Sequence, residues 1–150
     1  MADENRIHLG GEFVHEEALA SGVVQPGMLV ELTSATANTV RAHVTEGGTA
    51  ERMFAVEDAL QGNTIADNYA SGDLVMLCVA LPGSSVFAII KAGENVAKGE
   101  KLVSAGDGTL IAESSVASGT TVAQVIAVAK AALDLSASGA VNTRLAVRVL

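Results

Sequence analysis

Apolar and polar positions alternate with a period of two along most of this chain. Met28, Val30 and Leu32 share one face of a first segment and Glu31 takes the other, while Val40, Ala42 and Val44 alternate with Arg41 and His43 in a second. Such alternation marks half-buried strands, because successive side chains of an extended backbone point to opposite sides. Arg52 to Val56 resumes the pattern after Gly47-Gly48. The last segment carries it furthest: Val141, Thr143, Leu145, Val147 and Val149 fall on one face, with Asn142, Arg144 and Arg148 opposite. Two more runs, Leu74 to Leu81 and Val86 to Ile90, are apolar on both faces. That pattern predicts strands covered on both sides, either by two layers of one barrel or by another subunit.

Turn residues punctuate these runs. Pro26-Gly27 and Pro82-Gly83 each open or reverse a segment. Between Ile89 and Ala112, Gly93 and Gly99 bracket a short charged stretch, and Ala105-Gly106-Asp107-Gly108 separates Glu100–Val103 from Thr109–Ala112. Asp-Gly between two β-prone runs predicts a hairpin, because glycine accepts the positive φ that tight turns need. Glu57 to Gly62 predicts a single helical turn closed by Gly62. Val122 to Leu135 suits a helix by its alanines and a strand by Val125 to Val128; its neighbours favour strand. Together these elements predict an all-β fold, a small barrel or sandwich over residues 25–150 with at most one or two helical turns.

Residues 1–24 read differently. They hold His8, His15, the pair Gly10-Gly11 and an isolated Phe13-Val14, and they sustain no period. An extended N-terminal arm that finds its partners outside its own domain is expected, with Phe13 and Val14 as its anchors. The alternative is a first edge strand of the same sheet.

Composition adds to this picture in three ways. Apolar residues make up 49% of the 150 positions, mostly alanine and valine, and the mean hydropathy of +0.40 points to surface buried between subunits. On that reading Val75, Leu77, Val79, Phe87 and Ile89 are the expected subunit contacts. The net charge of -8 argues against recognition of a nucleic-acid backbone, which needs a basic face. A single cysteine, Cys78, excludes an intrachain disulfide and sits in an apolar run that is too short for a membrane span. The acidic start Met1-Ala2-Asp3-Glu4 lacks the layout of a signal peptide, so synthesis in the cytoplasm is expected.

The residues that carry chemistry are few. His8 and His15 lie near Glu12, Glu16 and Glu17, but a metal site would need more ligands in a rigid frame. His43 alternates outward from its strand with no serine or cysteine near it in sequence, and Gly106-Asp107-Gly108 lacks the third glycine of a dinucleotide site. Neither an enzyme nor a cofactor or metal site is expected. The phrase from Gly93 to Leu102 resembles the hairpin of lipoyl and biotinyl carrier domains, yet the tip at Ala105 to Gly108 has no lysine to modify.

Taken in order, the features resemble capsid decoration (cement, or head-stabilising) proteins of tailed bacteriophages. The residues that carry the resemblance are Gly10-Gly11-Glu12, the entry from Val24 to Glu31, Phe54 to Asp58 with Gly62, Tyr69 to Val75, Gly93 to Leu110, and Arg144 to Val149. The resemblance implies a homotrimer on the outer surface of the expanded head, seated at local three-fold positions of the major capsid protein and stiffening the shell against internal DNA pressure. It also implies an arm that reaches over coat subunits, carrying Gly10, Gly11, Phe13 and Val14. Other readings of the same residues are a trimeric receptor-binding or tail-associated module, and a carrier-like barrel.

Overall fold

The computed structural model describes residues 5–34, 37–117 and 123–150. The strands are β1 (His8–Gly10), β2 (Phe13–Ala20), β3 (Val30–Leu32), β4 (Thr39–Ala42), β5 (Met53–Val56), β6 (Leu74–Ala80) and β7 (Ser85–Ile90). They continue with β8 (Asn95–Val96), β9 (Lys101–Ser104), β10 (Leu110–Ala112), β11 (Ala127–Ala129), β12 (Leu133–Asp134) and β13 (Thr143–Val149). Helix among the described residues is confined to two 3-10 turns, Ala59–Gln61 and Glu113–Ser115. The fold is all-β, as the alternation predicts. Gly62 closes the first turn in the left-handed region, its N–H donating to the Ala59 carbonyl. The Gly106-Asp107-Gly108 turn joins β9 to β10 as a hairpin, with Leu110 opposite Ser104 and Ala112 opposite Leu102. The described part of the ambiguous 122–135 segment is extended, because β11 is held between β9 and β13, and these ladders outweigh the helix preference of its alanines.

Two curled sheets share a core, and the second encloses another of its own. In the first, the strands run β7-β10-β9-β11-β13, and β13 returns to pair with β7, closing a five-stranded barrel. Along β7 the ladder to β13 places Ala88 opposite Leu145 and Val86 opposite Val147, so these residues point inward with Ile90 and Val149. The other edge of β7 is divided among three partners: the Phe87 N–H donates to Ile7, the Ile89 N–H to Gly27 and the Lys91 N–H to Leu110. Gly27 lies so close here that a β-carbon would stand 2.9 Å from the Phe87 carbonyl oxygen, and its φ of 99° is one that glycine alone adopts readily.

The second sheet has the order β3-β4-β2-β6-β5 and curls until β5 meets the residues before β3, with Leu29 bridged to Phe54. Its concave face encloses Ala18, Val30, Val40, Met53, Val75 and Leu77. Its convex face packs Phe54, Cys78 and Ala80 against the barrel, in one core with Ile7 and Leu29. Arg144 ties the two units from outside, donating to the carbonyls of Pro26 and Ile65.

Two sequence-based expectations need correction. The described part of residues 1–24 is no detached arm: β1 pairs with β7, and β2 pairs with β6 over its whole length from Phe13 opposite Ala80 to Leu19 opposite Leu74. Ile7 is 0% exposed. Ladder hydrogen bonds hold this segment, and they leave no signature in side-chain periodicity. The second correction concerns the expected subunit contacts. Val75 and Leu77 are fully buried within the curled sheet, and Ile89 is buried too, so none has surface left to give a partner. Val79 and Phe87 are half-buried against the same two cores. The cover that the apolar runs require comes from the second layer of the same chain.

Candidate functional site

β2 is the strand with the least cover. From Gly11 to Glu17 every residue is exposed, although the strand is paired on one side with β6. Its other side meets β4 only at Leu19 and Ala20, because β4 starts late and runs on past the end of β2. The backbone of Phe13 to Glu17 therefore faces no strand on that side among the described residues. Phe13 is 40% and Val14 51% exposed, on opposite faces of the same strand. An exposed edge of this kind invites pairing with another chain unless charge or cover blunts it.

The hydrogen-bond parity along β2 is fixed by its neighbours. The Ala20 N–H donates to Asp73, and the Glu12 carbonyl accepts from the Leu81 N–H, so even-numbered residues turn their backbone toward β6. Odd-numbered residues turn theirs outward: the Leu19 N–H reaches the Asn38 carbonyl, and the Asn38 side chain donates to the Glu17 carbonyl at 2.9 Å. The start of the strand is pinned. Ser84 Oγ donates to the Glu12 carbonyl at 2.6 Å, and a β-carbon on Gly11 would stand 2.7 Å from Ser84 Cα. Gly11 has φ 91°, so its role is a close crossing of two backbones.

On the convex face of the second sheet, across β2, β6 and β5, a groove of about 350 Å³ opens, with Arg6 among its lining residues. Phe13, Val56, Met76 and Leu60 supply its apolar wall, and Glu57 and Asp58 lie at its border. Leu60, carried on the 3-10 turn, is 96% exposed. His8 and His15 both line the groove. The His8 ring lies 4.3 Å from that of Phe13 at 46°, and its Nε2 is buried without a hydrogen-bond partner among the described residues. His15 Nε2 sits 3.4 Å from Glu17 Oε1. No group of three or more His, Cys, Asp or Glu side chains among the described residues is placed to hold a metal. The structure thus brings together Gly10, Gly11, Phe13 and Val14 at one end of β2, and leaves Val75, Leu77 and Ile89 in the interior.

A second cluster has the makings of chemistry but no access. Contrary to the expectation from alternation, His43 is buried, and Ser104 Oγ stands 2.7 Å from its Nδ1. His43 Nε2 donates to the Thr49 carbonyl at 3.1 Å, with Glu31 Oε2 at 3.6 Å. This assigns the proton to Nε2 and makes Ser104 the donor to Nδ1. Ser104 Oγ also accepts the Gly106 N–H, and both side chains are sealed from solvent. The His43–Ser104 pair is a polar pin between the two sheets. Cys78 is equally enclosed, and burial pushes its thiol up to about 12, where it is neither nucleophile nor ligand. No helix among the described residues is long and apolar enough to cross a membrane.

Comparison with known proteins places the fold. No family model matches the chain, and no curated protein matches it. Among solved structures, the N base of the head fiber protein gp8.5 of bacteriophage phi29 is similar, with a TM-score of 0.56 and 14% sequence identity. The similarity covers 93% of this chain and 95% of that one. At this identity the likeness is one of fold, a small all-β architecture matched from end to end.

Proposed function

We propose that this protein is a structural component of a phage head: a decoration protein that binds the outer surface of the expanded shell and helps it resist internal DNA pressure. The observation that carries this reading is the fold likeness to a phage head fiber base over nearly the full length of both chains. Its weight comes from completeness, since both curled units are matched rather than one widespread barrel. The turn-and-strand order that resembles cement proteins supports the same role.

In this reading the partner is the major capsid protein, the assembly is a homotrimer at local three-fold positions, and the docking face is β2 with Phe13, Val14 and the Gly10-Gly11 turn. A trimer presents three copies of one face, so contacts too weak to hold singly combine through effective concentration. Its subunit contacts must draw on surface residues, because Val75, Leu77 and Ile89 are internal. The test is to mix the purified protein with expanded empty heads and image them, alongside light scattering of the free protein. Added density at local three-fold positions and a mass of three chains are expected. Bare heads at saturating protein would refute the reading, and a 15.1 kDa species at micromolar concentration would remove the trimer.

A further inference from the structure

The free edge of β2 has a chemistry of its own, and it specifies what can lie along it. We propose that Phe13 to Glu17 accept an extended segment of a partner polypeptide, basic on one face and apolar on the other, as an added β-strand. The proposal rests on the reading of β2 as the docking face and names the chemistry of the segment that docks there.

The backbone parity supplies the first reason. Phe13 and His15 each direct an N–H and a carbonyl outward, and the Glu17 N–H joins them, the Glu17 carbonyl being held by Asn38. These groups are spaced as a ladder is spaced, so a strand laid beside them pairs without moving β2 away from β6. The faces supply the second reason. Phe13 and His15 share one face, and since the rest of the groove's apolar wall lies across β6, an apolar side chain of an added strand gains its cover from the Phe13 and His15 rings, with Glu17 at the far end of that face. Glu12, Val14 and Glu16 occupy the opposite face, all exposed, so the intervening side chains meet two carboxylates. Lysine or arginine fits there. A second copy of this chain fits poorly, since each copy carries a charge of -8 and would set Glu12, Glu16 and Glu17 against an acidic surface.

The experiment uses a short fluorescent peptide of alternating lysine and valine, titrated against the full-length protein and followed by anisotropy. Binding should weaken as salt rises, and a glutamate-valine peptide should not bind. A peptide with N-methyl groups on the pairing edge cannot donate to β2 and should bind at least about tenfold more weakly, the loss of one or two ladder bonds. In the protein, His15→Pro removes an outward N–H while leaving the even-numbered bonds to β6 in place, so the fold should survive and binding fall by a similar factor. Glu16→Lys should weaken binding with no change in melting.

Equal affinity for the N-methylated peptide, measured on the unaltered protein, overturns strand addition whether or not His15→Pro folds. No binding of the lysine-valine peptide overturns it as well, and so does self-association that is lost in His15→Pro, which would make the occupant a second copy. Head binding measured in parallel separates this proposal from the functional reading. Heads occupied normally by a folded His15→Pro protein remove strand addition and leave the head-binding role standing. Bare heads together with edge-dependent peptide binding support strand addition and remove the head.

Discussion

Deleting residues 2–20 should abolish folding, and the structure says by how much. β2 contributes seven residue pairs to its ladder with β6, from Phe13 opposite Ala80 to Leu19 opposite Leu74. At roughly one hydrogen bond per pair and about 1 kcal/mol net for each, the ladder is worth about 7 kcal/mol. Ile7 is fully buried in the shared core, and losing it costs about 2–5 kcal/mol by analogy with large-to-small core substitutions. Ala18 and Ala20, both buried, add roughly a further 1–2 kcal/mol at about 0.8 kcal/mol per buried methyl-sized group. The sum, about 10–14 kcal/mol, falls in the upper part of the whole stability of a typical domain, about 5–15 kcal/mol, and leaves little or nothing to hold the rest. Circular dichroism and thermal melting of the truncated protein should show no cooperative transition. Ile7→Ala is the graded control: it should stay folded and melt roughly 4–20 °C lower, at about 2–4 °C per kcal/mol for a chain of this size. A truncated protein that melts cooperatively within a few degrees of the full chain would refute the integration of β1 and β2.

Other outcomes follow from single side chains. Cys78, buried and with its thiol raised to about 12, should resist thiol reagents at neutral pH and react only once the protein is unfolded; labelling of the native protein at the unfolded rate would contradict its placement. Arg144→Met should destabilise by about 1.5–3 kcal/mol in a denaturant melt, since it strips charged donors from the carbonyls of Pro26 and Ile65. Burial opposes the charge of Asp107, but hydrogen bonds from Thr109 and the Lys91 ammonium outweigh it and hold the carboxyl below its ordinary value. The folded state therefore binds fewer protons than the unfolded one, and this contribution is complete above the ordinary aspartate range and lost as pH falls through the depressed folded value. Asp107→Asn should flatten that acid limb and cost about 1 kcal/mol or less at neutral pH, because the Lys91 pair is half-exposed.

Much of the fold was legible because a strand with one wet face writes its period into the sequence. β13 is the clearest case: Leu145, Val147 and Val149 are buried in the barrel, and Arg148 faces out. The β9–β10 hairpin was equally legible, since Gly106 and Gly108 both take the positive φ their turn needs. The candidate site was legible only in part. Phe13 and Val14 stood out as clustered apolar residues, while the groove beside them depends on Val56, Leu60 and Met76, which lie far along the chain. His43 and Ser104 are 61 positions apart and meet only through the packing of the two sheets. Each looked ordinary alone, and no local spacing links them.

The two misreadings have a common cause. Periodicity reports whether each face of a strand is covered, and says nothing of what covers it or of what its edges touch. β6 is apolar on both faces, and that fact is satisfied equally by a neighbouring subunit and by cover from the same chain; Val75, enclosed in the curl with Val30, Val40 and Met53, and Cys78, packed against the barrel, show the second solution. β2 is the converse. Seven consecutive exposed residues carry no burial pattern, yet the strand is fixed by backbone bonds to β6 along one edge. Its other edge, unpaired among the described residues from Phe13 to Glu17, is the same indifference of side chains to pairing, turned outward. An interior strand needs no surface chemistry. A strand exposed on both faces that keeps Phe13 and Val14 there is guarded by Glu16 and Glu17, acids that repel an acidic strand and admit a basic one, and that selective protection is the reason to look for its partner along β2 rather than on the barrel.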